Sequence, residues 1–168
     1  AAASGILIHK VDTSGEGIYG VKFLLYDEDR NPIGEFTSDD DGYVYITADD
    51  LPDGANTSGR FYLRELEAAE GYILDKEYKT VYVRPGRTAE IEWVNEAITG
   101  QIQIYKYAAE ANSVTGVPAG TPLQGAVYEI INERSGRVVD YITTDARGVA
   151  ASKPLPLTRY KIREVTAP

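Results

Sequence analysis

The chain is written nearly twice. Residues 5–48 contain GILIHK, IYGVKFLLYD and TSDDDGYVYIT, and residues 100–151 contain GQIQIYK, LQGAVYEIIN and TTDARGVAA in the same order. FYLRELEAAEGY (61–72) returns as YKIREVTAP (160–168). Self-similarity on this scale requires one fold used in tandem, and 168 residues suffice for two units of ordinary domain size. Gly20 and Gly125 each precede an apolar stretch (Phe23 and Leu25; Tyr128 and Ile130), while Asp39 and Asp145 each stand three residues before a glycine, Gly42 and Gly148. Such an aspartate can close a turn through its side chain, and such a glycine can take positive φ. Turn signals recur roughly every 8–12 residues, with Val, Ile, Thr and Tyr dominating between them. Both units therefore read as all-β, a sandwich or barrel.

Differences between the copies fall in expected loops. The first carries an insertion, Asp49–Arg60, and the second a longer stretch between Lys106 and Gly125. Tyr78–Arg84 and Thr88–Asn95, flanking Pro85-Gly86, read as a hairpin that closes the first unit. The second has no counterpart before Pro168, so it is expected to lack its last strand or two. The expected boundaries are 1–97 and 98–168, with Ala1–Ser4 as linker.

Three polar residues stand where strand alternation points inward. Lys10 ends Ile6, Ile8, Lys10; Glu65 ends Phe61, Leu63, Glu65; Asn95 ends Ile91, Trp93, Asn95. Residues two apart share a face, so each should enter the core with its apolar partners. Leaving such groups uncompensated there costs several kcal/mol. Strand logic leaves two readings open: a buried Lys10–Glu65 ion pair with Asn95 hydrogen-bonded beside it, or three groups that react. In the second unit Lys106 follows Ile102 and Ile104, and Glu164 follows Tyr160 and Ile162, but no Asn follows. A buried or half-exposed ion pair is expected there.

Charge and composition exclude much else. A net charge of −9 disfavours nucleic acid and anionic membrane surfaces as partners. No apolar run approaches the ~20 residues that span a bilayer. With no cysteine and one histidine, His9, on the outward face of its strand, neither a catalytic triad nor a Cys/His metal site has the residues it needs. No cofactor and no metal is expected, and Asp39-Asp40-Asp41-Gly42 lacks the further ligands of a calcium loop. Leu155–Thr158 is similar to an LPxTG sorting signal, but Arg159 replaces the glycine and a strand follows.

The pattern as a whole resembles the Cna B-type domain of Gram-positive pilins and surface adhesins. It consists of a strand ending I-x-K, then L-x-G-A-x-Y/F, T-D-x-x-G, Y-x-L-x-E-x-x-A-P-x-G-Y and a last strand ending in Asn. The likeness covers essentially the whole chain, one complete copy and one truncated; Ala69 stands where the family usually has proline. It implies two tandem immunoglobulin-like β-sandwiches of the inverse, prealbumin-like kind. It also implies a self-formed isopeptide bond between Lys10 and Asn95, assisted by Glu65, with Lys106 and Glu164 as equivalents lacking an Asn. Burial can lower a lysine pKa and raise that of a carboxylic acid by up to ~3–5 units. The expected chemistry is attack of a neutral Lys10 amine on the Asn95 carboxamide, with Glu65 donating to the carboxamide oxygen. The implied role is a shaft or stalk segment at the cell surface, wall-anchored through other regions, contacting neighbouring domains or subunits of the same fibre. A host matrix protein or glycan is a further possible partner, and an accessory domain of a secreted enzyme is a further alternative.

Overall fold

The computed structural model describes residues 4–168; Ala1–Ala3 lie outside them. The chain divides into two compact units, Ala1–Ile98 and Thr99–Pro168. In the first, β1 (Gly5–Val11) is flanked by β4 (Tyr43–Ile46) and β7 (Thr88–Val94) in a three-stranded sheet. β2 (Lys22–Tyr26), β3 (Pro32–Thr37), β5 (Gly59–Glu67) and β6 (Tyr78–Val83) form the second sheet in the order β3-β2-β5-β6. Period-two alternation supplies the core between the sheets. Ile6 and Ile8, Val44 and Ile46 and Trp93 come from one, and Phe23, Leu25, Phe61, Leu63, Val81 and Val83 from the other.

β6 and β7 are not the hairpin expected around Pro85-Gly86. The turn forms, with Gly86 at φ 73° and the Arg87 N–H donating to Arg84 O, but it carries the chain from one sheet to the other. β7 then runs parallel to β1, from Gly5↔Thr88 to Val11↔Val94. Parallel neighbours need a long crossover, and here the rest of the unit supplies it. First and last strands thus lie side by side.

The repeated turn buttresses β1. Asp39 Oδ1 accepts the N–H groups of Asp41 and Tyr43, and Gly42, at φ 87°, donates to Asp39 O. The Lys10 N–H donates to Gly42 O at 2.7 Å, and a Cβ on Gly42 would lie 2.3 Å from Lys10 O. Only glycine fits this approach. Ser4 is not linker: it is buried, and its hydroxyl lies within hydrogen-bond reach of the carbonyls of Ala55, Thr57 and Arg84. The 49–60 insertion holds two short 3-10 turns, Ala48–Asp50 and Gly54–Asn56, around buried Leu51 and Thr57.

The second unit is likewise built from seven strands, several of only two or three residues. β8 (Thr99–Gly100) pairs with β13 (Leu155–Pro156), β9 (Gln103–Tyr105) with β12 (Val149–Ala151), and β10 (Val127–Asn132) lies between β11 (Val138–Thr143) and β14 (Tyr160–Thr166). Ala126, Tyr128, Ile130, Ile142, Ala150 and Leu155 form its core. The sorting-signal look-alike is part of this fold, with Leu155 buried opposite Gly100. Gly148 repeats Gly42: Lys106 N–H donates to its carbonyl at 2.7 Å, and a Cβ there would lie 2.4 Å from Lys106 O.

Candidate functional site

Lys10, Glu65 and Asn95 converge between the sheets of the first unit. Lys10 is 0% exposed, and Glu65 and Asn95 are 2% exposed. β1 delivers the lysine, whose register partner is Trp93 on β7. Asn95 follows β7 by one residue, and its N–H donates to Val11 O at 2.9 Å, which seats the carboxamide alongside the lysine. Glu65 comes from the opposite sheet. It lies opposite Phe23, and the β2–β5 register slips beside it, from Lys22↔Glu67 to Phe23↔Glu65, leaving Leu66 over. Such a bulge re-aims the side chains next to it.

Lys10 Nζ lies 2.5 Å from Asn95 Oδ1 and 3.1 Å from Glu65 Oε1. Asn95 Nδ2 donates to the same Oε1 at 2.5 Å. One carboxylate oxygen therefore stands between the lysine nitrogen and the carboxamide nitrogen. The carboxamide is turned the other way from the sequence expectation, in which Glu65 addressed its oxygen. The ammonium occupies that oxygen instead, and the carboxylate takes the N–H.

The surroundings lower the basicity of the amine. Desolvation brings the Lys10 pKa from 10.5 down to about 8, against the opposing pull of the charge and hydrogen bond of Glu65 and the charge of Asp75; Lys79 adds to the fall. Nζ also lies 5.0 Å from the Trp93 ring and 5.9 Å from that of Phe23. These rings close off solvent while favouring any residual ammonium.

Two residues of the site escaped the sequence reading. Asp75, in the segment between β5 and β6, donates its N–H to Glu65 Oε2 at 2.7 Å and accepts the Trp93 indole N–H on Oδ2 at 2.9 Å. Burial opposes ionisation of Asp75, but hydrogen bonds from Glu77 and Trp93 and the charges of Lys79 and Lys10 outweigh it and lower its pKa. Lys79 lies with its Nζ 5.0 Å from the Trp93 ring. Its position was legible, since Lys79, Val81 and Val83 alternate on one face; Asp75, in an irregular segment, has no such signature.

The second-unit pair is of a different kind. Lys106 Nζ and Glu164 Oε2 lie 3.5 Å apart, with the two side chains 32% and 34% exposed. The bulge recurs, Val127↔Thr166 giving way to Tyr128↔Glu164. Ile162, expected inward, is 47% exposed. Among the described residues β14 pairs only with β10, and β9 only with β12, so nothing covers this end as β6 and β7 cover the first site. His9 faces outward as expected, stacked on Tyr43 at 4.1 Å. Among the described residues no group of three or more metal-ligating side chains gathers, and no helix is long and apolar enough to cross a membrane.

The comparison with curated proteins finds no match. Among solved structures, the chain resembles the Bacillus anthracis TIE protein at 28% identity and a TM-score of 0.51, over 99% of this chain and 28% of that one. It shares its fold with BcpA, the major pilin subunit of Bacillus cereus, at 11% identity and a TM-score of 0.50, over 98% of this chain and 88% of that one. A Streptococcal ancillary pilin aligns at 19% identity and a TM-score of 0.49, over 99% of this chain and 54% of that one. The chain thus spans little more than a quarter of the first of these proteins and about half of the third. The SpaA prealbumin-like fold domain model matches residues 4–97 and again 101–168. The chain belongs to the SpaA prealbumin-like domain family, with two such domains in tandem.

Proposed function

We propose that this chain is a structural segment of a bacterial surface fibre or stalk, and that its first domain locks itself with an isopeptide bond from Lys10 Nζ to Asn95 Cγ. The observation that carries the reading is the placement of Glu65 Oε1, 3.1 Å from the lysine nitrogen and 2.5 Å from the carboxamide nitrogen, in a site closed to water. A buried ion pair alone needs no carboxamide nitrogen on that oxygen.

The chemistry follows from the distances. A neutral Lys10 attacks Asn95 Cγ with its lone pair, and a tetrahedral centre forms with negative charge on Oδ1. Glu65 takes a proton from Nζ and delivers one to Nδ2, which leaves as ammonia. The Nζ–Cγ bond replaces the Cγ–Nδ2 bond, no oxidant is required, and the carboxylate ends as it began. Fixed contact between the reactants supplies a proximity advantage of roughly 7–11 kcal/mol. A pKa near 8 leaves about a tenth of the amine neutral at pH 7, which is ample for a reaction that happens once. The domain modifies itself and turns nothing over.

In this reading the segment works outside the cell, joined to neighbouring domains or subunits of the same fibre and anchored through other parts of the protein. Intact mass under denaturing conditions tests it. The expected value is one ammonia below the calculated mass, restored to the full mass in Lys10→Ala and Glu65→Ala. A wild-type chain at its full calculated mass rejects the bond.

A further inference from the structure

We infer that Asp75 is a positioning residue for this cross-link, an inference that rests on the reading just given. A carboxylate can rotate about its last side-chain bond, and a glutamate that presented the wrong edge would meet one nitrogen and miss the other. The Asp75 N–H holds Oε2 at 2.7 Å, which leaves Oε1 between Nζ and Nδ2. The Asp75 side chain holds Trp93 at 2.9 Å, two residues before Asn95, which directly follows that strand. One residue thus ties the acid, carried by one sheet, to the strand of the other sheet that presents the carboxamide.

The segment bearing Asp75 is fixed at its other end too. Tyr72 bridges to Ala97, Ile73 N–H donates to Glu96 O, and Ile98 N–H donates to Gly71 O. The 68–77 segment therefore docks on chain just beyond Asn95 and on Glu65 together. The reacting geometry is complete only when this segment is seated, so the cross-link forms after both sheets have come together and not during their assembly. The Asp75 carboxylate has a second, electrostatic effect. The charged groups facing Lys10 are Glu65, Asp75 and Lys79, and Asp75 is one of the two that favour its ammonium. Asp75 therefore makes the reaction better aligned and, at a given pH, gives it less free amine.

These two effects separate by substitution. Full-length chain is made by cell-free translation, chased in buffers from pH 5 to 9, quenched in acid and weighed intact; near-ultraviolet circular dichroism reports folding of the same variants. Asp75→Ala removes the acceptor for Trp93 and the charge; Asp75→Asn keeps an acceptor oxygen and removes only the charge. The expected result is a plateau rate at least about tenfold lower in Asp75→Ala, the scale of one hydrogen bond to a charged group, and restored to within about threefold by Asp75→Asn. Both variants should reach half-maximal rate at lower pH than wild type. Equal plateau rates in folded Asp75→Ala and wild type would overturn the inference, as would an Asp75→Asn rate as low as that of Asp75→Ala. If Asp75→Ala does not fold, the pH midpoint of Asp75→Asn decides, and an unshifted midpoint counts against the inference. A wild-type chain that loses no ammonia rejects the cross-link itself, an outcome distinct from all of these.

Discussion

Replacing Lys10 by Met offers the sharpest test of the cross-link. The change keeps an apolar stem beside Trp93 and Phe23 and removes only the amine, so packing loss is small. Two terms remain. The bond closes a loop between residues 85 apart, which by analogy with a disulfide constrains the unfolded chain by about 4–5 kcal/mol. Glu65, 2% exposed, also loses the amide N–H that the cross-linked Lys10 nitrogen presents to it, and a buried carboxylate left without that donor costs about 2–3 kcal/mol. Together these remove about 7 kcal/mol, enough to leave one domain marginal. Trp93 is the only tryptophan and lies in the first domain, so its fluorescence follows that domain alone. With a guanidinium slope of about 3 kcal/mol per molar, the unfolding midpoint should fall by about 2 M. Asn95→Ala removes the same bond and should lose about 5–6 kcal/mol. The double variant should be little worse than Lys10→Met, because one covalent link cannot be lost twice. Two modest losses that simply add in the double variant would refute the reasoning, since they would show that each residue contributes separately.

Bond formation should speed up as pH rises. The Lys10 pKa is lowered from 10.5 to about 8, so the neutral amine accumulates through about pH 8 and the rate levels off above it; a rate falling over pH 6–8 contradicts this. In a chain kept from reacting, the same shift makes the folded state bind fewer protons than the unfolded state. Stability should therefore rise between about pH 8 and 10.5, and a flat profile in Asn95→Ala would count against it. Gly42→Ala should cost several kcal/mol and slow cross-linking, because its Cβ meets Lys10 O at 2.3 Å; Gly15→Ala, with nothing within 4 Å, should cost only about 1 kcal/mol for its positive φ. Urea melts of the two variants make the comparison. Lys106→Met should change second-domain stability by less than about 1 kcal/mol, as a part-exposed pair should, with hydrogen exchange in β10 as the readout.

How much of this was legible depended on how far each residue obeys a period. Lys10, Glu65 and Asn95 could be found because strand alternation is strict and each interrupts an apolar face. The Asp39–Gly42 and Asp145–Gly148 turns were legible from residue type and spacing. The β6–β7 connection was not, since a Pro-Gly turn serves a sheet-to-sheet crossing as well as a hairpin, and only the parallel partner β1 decides between them. The bulges beside Glu65 and Glu164 are register events between strands, with no mark in either strand alone. Asp75 acts partly through its backbone N–H, a group every non-proline residue has, so no residue type could announce it. Ile162 and Glu164 keep the alternation that should bury them, but alternation gives direction and a neighbouring strand gives cover.

The parallel pairing of β1 with β7 has a mechanical meaning once Lys10 and Asn95 are joined. Tension applied between Gly5 and Ile98 runs along β1 to Lys10, crosses the side-chain link, and leaves through Asn95. The chain from Val11 to Val94 is bypassed. At about 3.3–3.6 Å per extended residue, close to 300 Å of contour never comes under load. Stretched in a single-molecule experiment, the first domain should add no length of its own, whereas Lys10→Met should release that hidden contour in one step.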